Sequence, residues 1–492
     1  MHHDPVRVLR DVLGYSGFRP GQEELVRAVL DGRDALGVLP TGGGKSVCYQ
    51  VPALLLGGPT LVVTPLISLM EDQVARASAI GLRAACLTSA QAADVRRMNE
   101  RRFRARELDI LFVAPERLEI GSFRTAVETA GVRLVAIDEA HCISEWGHDF
   151  RPAYRRIGRT TASLDAPVLA LTASATPRVR TDIEEVLGLR EPRIVIRSFD
   201  RPNLWWCVHR GGDLADRTAR AWRYIRRRGG ATIVYAPTRR SVELVRDRLA
   251  ALGTPCTAYH AGLRGAERSA VQQGFMEGAT RVVVATNAFG MGIDKADVRN
   301  VIHIQLPTTL EAYYQEAGRA GRDGRPAACI AFRGRGDGRL GRTFVDAAHP
   351  PTRRLRRLWR ELRAAAGPDG TVWAEDPRIL ALLGAPPRRW LAGEPEGPLG
   401  ALERACAVRR RPAAGTRGGV HGSPSCRIEV GPSLDLGLIR RRRQRVLDGL
   451  EAVRRYAETR ECRTRALLRY FGEVGCGPCG HCDRCGWELD TG

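Results

Sequence analysis

Lysine is almost missing from this 492-residue sequence: of its 77 Lys and Arg residues only Lys45 and Lys295 are lysine, and the other 75 are arginine. A lysine here is therefore more than a generic surface cation and marks a place that calls for an ammonium. Long apolar runs are also missing. The N-terminus, Met1 to Tyr15, has no apolar leader core, and the most apolar stretch, Val51 to Met70, is broken by Gly57, Gly58, Pro59 and Pro65. Both absences argue against export and against a membrane span, and a cytoplasmic protein is expected. No long low-complexity tract occurs, and 43% hydrophobic with 27% charged residues excludes a disordered chain. Acidic residues are in deficit, 55 against 77 cations, and the formal charge of +22 suits a polyanionic partner. The thirteen cysteines are an odd count, and five crowd between Cys462 and Cys485, so metal ligation at the tail is favoured over a disulfide framework.

The length is enough for about three domains. Short β-branched runs alternate with helical stretches: Ala35 to Leu39, Leu61 to Thr64, Ile110 to Ala114, Leu134 to Asp138, Val168 to Thr172 and Ile194 to Phe199. Buried parallel strands read this way. The rhythm restarts after Arg201, Pro202 and Asn203, with Thr232 to Ala236, Cys256 to His260, Arg281 to Thr286, Val301 to Leu306 and Ala328 to Phe332. An α/β chain with two successive parallel-sheet domains, 1–200 and 201–340, follows. Beyond it, Pro351 to Arg363 places Leu355, Leu358, Trp359 and Leu362 on one helical face and six arginines around the rest, a docked helix with a solvated basic face or a DNA contact. Residues 341–445 form a linker or insert rich in Pro and Gly, with helices expected near Pro377 to Leu383 and Pro398 to Val408 and an extended Cys426 to Val430. Val446, Leu450, Val453 and Ala457 mark a last helix opening the segment 446–492.

The first expected strand runs into Pro40, Thr41, Gly42, Gly43, Gly44, Lys45 and Ser46. This is a phosphate cradle: the glycines expose backbone N–H groups, Lys45 reaches the β- and γ-phosphates, and Ser46 ligates Mg²⁺. Leu39 stands where the strict pattern has glycine. Downstream, Leu134 to Asp138 delivers Asp138 and Glu139 to the carboxyl edge of a parallel strand, where Asp138 would hold the Mg²⁺ shell and Glu139 would deprotonate the attacking water. In the second domain the segment Gln315 to Arg322 sets Arg319 and Arg322 three residues apart, on one face if helical, suited to a developing phosphoryl charge.

With these sites stand the blocks Phe18 to Gln22, Thr64 to Leu69, Ala114 to Arg117, Ile137 to Pro152, Leu171 to Pro177, Tyr259 to Gly262 and Ala285 to Val298. In all of them the chain resembles the RecQ-type ATP-dependent DNA helicases of superfamily 2, with the DEAH motif, densely over residues 10–335 and again over 456–485. The resemblance implies two tandem RecA-like domains and a small C-terminal helical zinc-binding subdomain. It implies that Tyr15, Arg19 and Gln22 recognise the adenine end of ATP, and that Trp146, Phe150 and Arg151 sense single-stranded DNA. It also implies that Cys462, Cys479, Cys482 and Cys485, beside Tyr470 to Glu473, bind Zn²⁺ in a closed structural site, with Cys476 and His481 as extra donors. The implied activity is 3′-5′ unwinding in repair or recombination, with ATP, Mg²⁺ and Zn²⁺ as cofactors and with single-stranded, forked or partly duplex DNA, but no membrane, as partner. A cytoplasmic and, in a bacterium, nucleoid-associated location accompanies that reading.

Three departures stand out. The stretch from Gly324 to Cys462 is longer than the family's, and a winged-helix-like module is expected within residues 364–435. The sequence ends shortly after Cys485, so a short form lacking the family's further C-terminal modules, HRDC included, is expected. Ala296 stands where the family has proline. Rival readings are an ATP-driven translocase or annealing factor without robust unwinding, an RNA helicase, and a non-catalytic zinc-dependent binding module.

Overall fold

The computed structural model describes residues 4–65, 67–88, 91–144, 146–147, 150–290, 293, 295–334, 336–373, 376–383, 398–405, 407–412, 426–475 and 477–486. They fall into two compact units, residues 1–334 with 455–492, and residues 335–454.

In the larger unit, β1 (Ala35–Val38), β2 (Thr60–Val63), β3 (Ala84–Leu87), β4 (Ile110–Val113), β5 (Leu134–Ile137), β6 (Val168–Thr172) and β7 (Arg193–Ile196) form one sheet in the order β3-β4-β2-β5-β6-β1-β7. Every pairing in it is parallel, with Leu36 of β1 opposite Ala170 and Ile194. A second all-parallel sheet holds β8 (Leu204–Arg210), β9 (Ala231–Tyr235), β10 (Thr257–Tyr259), β11 (Val282–Ala285), β12 (Val298–His303) and β13 (Ala327–Arg333), ordered β10-β11-β9-β12-β13-β8. Parallel neighbours need crossover connections, and helix Ala93–Arg104 between β3 and β4 and helix Leu310–Ala317 between β12 and β13 supply two of them. These are two RecA-like α/β lobes, each with its own core: Leu25, Tyr49, Phe112 and Leu169 in the first, Ile225, Val234, Leu249 and Phe332 in the second.

Strand β8 is the exposed-edge candidate of the second sheet, and the chain's tail covers it. Trp206 N–H donates to the His481 carbonyl at 3.2 Å and Asp483 N–H to the Trp206 carbonyl at 3.0 Å, so a segment some 275 residues downstream satisfies edge groups that would otherwise invite another chain. Arg463, with a fully buried side chain, locks this tail by gripping Asp483 at 2.8 and 3.1 Å. The second of the two lysines is structural: Lys295 Nζ donates to the Met276 carbonyl at 3.2 Å and pairs with Asp297 at 3.1 Å.

The smaller unit runs helix Asp337–Ala348, helix Thr352–Ala365, β14 (Thr371–Trp373), helix Pro377–Leu383, helix Pro398–Arg404, β15 (Val408–Pro412), β16 (Cys426–Val430) and most of helix Leu436–Glu458. Its sheet is antiparallel, ordered β14-β16-β15, and packs on Leu355, Leu358, Leu362, Ile379 and Leu402. Two expectations are corrected. The helix expected over Pro398 to Val408 stops at Arg404, and Val408 opens β15 instead, because its partner is the distant β16. Arg319 and Arg322 are not helical: helix Leu310–Ala317 ends before Gly318, and the arginines follow in turns where Gly321 has φ +55°. Among the described residues no helix is long and apolar enough to cross a membrane.

Candidate active site

Sheet order places the chemistry. Strand β6 lies between β5 and β1, so the carboxylates leaving β5, the turn leaving β6 and the glycine loop leaving β1 meet at one carboxyl edge. Leu39, the departure from the strict loop pattern, lies in the hydrophobic core and takes no place on the phosphate side. Gly42 and Gly44 have φ of +81° and +72°, a region that suits glycine. A Cβ on Gly44 would also stand 2.6 Å from Gln22 Nε2.

That contact reflects what Gln22 does here. Its amide nitrogen donates to the Gly43 and Gly44 carbonyls, both at 2.9 Å, while its oxygen accepts from Arg19 N–H at 2.8 Å. The Arg19 guanidinium donates to the Gly42 carbonyl. The two residues therefore tie down the loop backbone, with Tyr15 exposed at the rim.

Asp138 is half-buried, and desolvation, followed by the neighbouring Glu139 carboxylate, pushes its carboxyl up to about 6, while Lys45 pulls it back. Glu139 holds a left-handed backbone, φ +48°, a strained conformation of the kind kept at functional sites. His141 Nδ1 lies 3.3 Å from Glu139 Oε2 and 3.0 Å from Thr172 Oγ1. Thr172 Oγ1 in turn accepts from Ser174 N–H at 3.3 Å, and Ser174 Oγ accepts from Gln315 of the second lobe at 3.4 Å.

A cleft of about 640 Å³ between the lobes is lined by Tyr15, Arg19, Gln22, Thr41, Gly42, Gly44, Lys45, Ser46, Asp138 and Glu139 from one side and by Gln315, Arg319 and Arg322 from the other. Arg322 packs against Gly42, and the Arg319 guanidinium donates to the Gly290 carbonyl. Gly43, Trp146, Phe150 and Arg151 are not among the lining residues. Trp146 is half-buried with the Arg178 guanidinium 3.0 Å from its ring centroid, and Arg151 donates to the Pro65 carbonyl at 2.9 Å. Glu145, His148 and Asp149 of the same loop, Met291, Gly292 and Asp294 of the Ala285 to Val298 block, and Cys476 lie outside the described residues.

Sequence reasoning missed Arg201, read only as part of a boundary. It donates to the Thr41 carbonyl of the glycine loop at 3.2 Å and to the Gly318, Ala320 and Gly321 carbonyls of the arginine segment at 3.3, 3.1 and 3.1 Å. Nothing in the one-dimensional pattern signals four converging carbonyls. The role of Tyr470 to Glu473 was also missed. Tyr470 donates to Glu311 at 2.7 Å, the Phe471 carbonyl accepts from Arg180 at 2.6 Å and its ring stacks on Phe199 at 4.4 Å, and Glu473 accepts from Ser198 at 2.8 Å. The tail thereby braces the junction of the two lobes.

Cys462, Cys479, Cys482 and Cys485 bring their sulfurs within 4.8 Å of one another, with Cys462 and Cys482 at 3.9 Å. Tetrahedral Zn²⁺ with Zn–S bonds of about 2.3 Å asks for sulfurs roughly 3.8 Å apart, and the set fits. Backbone N–H groups of Arg463, Cys479 and His481 point at three of these sulfurs, as befits thiolates. His481 is engaged elsewhere, its Nδ1 2.7 Å from the Leu204 carbonyl, which leaves the four sulfurs as the donor set among the described residues.

The comparisons agree with this geometry. The DEAD/DEAH box helicase family matches residues 19–183, the helicase conserved C-terminal domain residues 216–324, and the RecQ zinc-binding family residues 437–486. The probable ATP-dependent DNA helicase RecS of Bacillus subtilis is 41% identical over 346 residues, 69% of this chain and 69% of that protein. The chain belongs to the RecQ family of helicases. ATP-dependent DNA helicase RecQ of Haemophilus influenzae is 45% identical over 326 residues, 66% of this chain and 52% of that protein. This RecQ-family chain thus spans about half the length of the first relatives it matches. A solved structure, the DUF1998 helicase MrfA bound to DNA, shares the fold at a TM-score of 0.57 and 20% identity, over 68% of this chain and 51% of that one.

Proposed function

We propose that this chain is an ATP-dependent DNA helicase that moves 3′ to 5′ along one strand and parts it from its complement. The observation that carries the reading is that Lys45, Asp138 and Glu139 of one lobe share a cleft with Arg319 and Arg322 of the other. In it the glycine loop cradles the phosphates and Glu139 orients and deprotonates the attacking water. The arginines stabilise the charge that develops as the γ-phosphoryl group leaves. Ser46 and Asp138, two oxygen donors, suit Mg²⁺, which when bound would neutralise phosphate charge. Tyr15 offers a ring for the adenine. The chain Glu139, His141, Thr172, Ser174, Gln315 runs from the attacking base to the second lobe, a route by which hydrolysis reaches lobe movement.

The relatives are named DNA helicases, and the net charge of +22 supports a nucleic-acid track. Trp146, Phe150 and Arg151, outside the cleft, are the proposed single-strand contacts, where stacking on an aromatic ring is worth about 1–3 kcal/mol per base. Between Thr352 and Val430 the described elements follow the order helix, strand, helix, helix, strand, strand, which supports a winged-helix-like module.

The test is ATP hydrolysis with and without single-stranded DNA, beside strand separation on a 3′-tailed duplex, with Glu139→Gln as blank. Hydrolysis stimulated by DNA together with unwinding is expected. Stimulation without unwinding would move the reading to a translocase or annealing factor, and preference for a matched RNA strand would move it to an RNA helicase.

The zinc reading gives a second expectation. Purified protein should carry about one Zn²⁺ per chain, Cys482→Ser should lose it, and a chelator should lower the thermal midpoint, because the cluster pins the tail that covers β8 and braces the lobe junction. A metal-free protein melting at the same temperature as the loaded one would sink this role.

A further inference from the structure

Helix Thr352–Ala365 is amphipathic, and the fold buries one of its faces. Its apolar stripe, Leu355, Leu358 and Leu362, is buried in the core of the smaller unit. The opposite face carries Arg353, Arg356, Arg357 and Arg360, all exposed. At 100° per residue these four fall within a fan of about 100° centred away from the core. Their spacings include four i,i+3 and i,i+4 pairs of like charge, an arrangement that works against the helix.

Elsewhere in this unit arginines find acids: Arg427 pairs with Asp369, Arg441 with Asp435, Arg443 with Asp346 and Arg454 with Glu451. The four on the helix have no side-chain partner among the described residues. The helix that a helix-turn-helix arrangement would lay against DNA, Pro398–Arg404, has only Glu403 and Arg404 as charges.

We propose that this arginine face is a docking surface for the phosphate backbone of duplex DNA, and that it, and not helix Pro398–Arg404, is the principal DNA contact of the smaller unit. A basic amphipathic helix is also a signature of membrane-surface binding, but that mode needs the apolar stripe, which here is already spent on the core. What remains is a row of guanidiniums with no apolar rim, matched to a row of phosphates. The row is about 10 Å long at 1.5 Å per residue. At about 3.4 Å of helix axis per phosphate of one strand, that is two to three contacts. The inference rests on the DNA-motor reading for its choice of polyanion.

The test uses the full chain carrying Arg353→Gln, Arg356→Gln, Arg357→Gln and Arg360→Gln, which keeps helix propensity. Binding to a labelled forked duplex is titrated across salt concentrations. Each lost phosphate contact removes about 0.9 from the slope of log K against log salt. The slope should therefore become shallower by about two to three units, and affinity near 0.1 M salt should fall by about 10-fold or more. An equal charge loss at four exposed arginines of the larger unit, Arg124, Arg159, Arg223 and Arg268, should leave the slope within half a unit of wild type. An unchanged slope in the helix variant, or the same change in both variants, would overturn the proposal. So would a loss confined to vesicles of phosphatidylserine and phosphatidylcholine. DNA-stimulated ATP hydrolysis by the wild type, measured in parallel, reports on the motor reading separately: its absence refutes the motor while the slope comparison still decides the surface.

Discussion

Arg322→Ala should slow DNA-stimulated ATP hydrolysis by about 10³-fold while changing the KM for ATP by no more than a few fold. Arginines brought across an interface to a phosphoryl group are worth about 10³ to 10⁵ in rate, because they meet charge that exists only in the transition state. Arg322 reaches the cleft from the second lobe and packs on Gly42 of the first. It therefore stands beside the loop that would cradle the phosphates, and its position depends on the two lobes being together. Arg319, three residues earlier, donates its guanidinium to the Gly290 carbonyl of its own lobe, so Arg319→Ala should cost less in kcat than Arg322→Ala. Arg322→Lys should recover little, since an ammonium lacks the planar fork that engages two oxygens at once. Steady-state kinetics at saturating single-stranded DNA, with nucleotide affinity measured by a fluorescent analogue, separates the cases. A variant whose loss lies wholly in KM would sink the transition-state role and leave Arg322 a ground-state phosphate ligand.

The parts of the fold that were legible are those where a backbone requirement forces residue identity. Gly42 and Gly44 are written into the sequence because their φ values suit glycine, and the buried central strands because both their faces must be apolar. Two strands of the larger unit were not legible. β3, Ala84–Leu87, has no β-branched residue, and β8, Leu204–Arg210, mixes two tryptophans with Cys207, His209 and Arg210; its partners are β13 and the tail, both far away in sequence. In the smaller unit β15 reads as three arginines closed by proline and β14 has three residues, so neither shows the alternation that marks a strand until β16 pairs with both. Of the site, residue types were readable but commitments were not. Gln22 was assigned to the adenine edge by resemblance, and nothing in the sequence announced that its amide would also donate to the Gly43 and Gly44 carbonyls while it lines the cleft with Tyr15 and Arg19. Trp146 stood among polar neighbours in the sequence, and nothing there announced that Arg178 would lie on its ring.

Arg201 carries the second large effect. Arg201→Ala should lower kcat by about 10²-fold with the KM for ATP and the affinity for single-stranded DNA each within about threefold of wild type. Arg201 is not itself among the residues that line the cleft and acts through those that are or that lead into them, so it is a positioning residue. Its fork reaches Thr41 on one lobe and Gly318, Ala320 and Gly321 on the other. Asn203, two residues on, repeats the grip by donating to the Gly321 and Arg325 carbonyls at 2.7 and 3.0 Å. The segment from Gly318 to Gly321 contains Arg319 and leads directly into Arg322. Removing Arg201 therefore frees the arginine segment from the glycine loop without altering either, and a misplacement of about 1 Å in such a site can cost about 10²-fold in rate. Arg201→Lys should recover only part of the rate, because one ammonium cannot span carbonyls on both lobes as the planar fork does. A purely structural role would show instead as a lower thermal midpoint with kcat intact in the folded fraction, and a rise in KM at constant kcat would assign Arg201 to nucleotide binding. The double variant Arg201→Ala with Arg322→Ala decides between additive and shared action: if Arg201 works by placing Arg322, the pair should lose little more than Arg322→Ala alone.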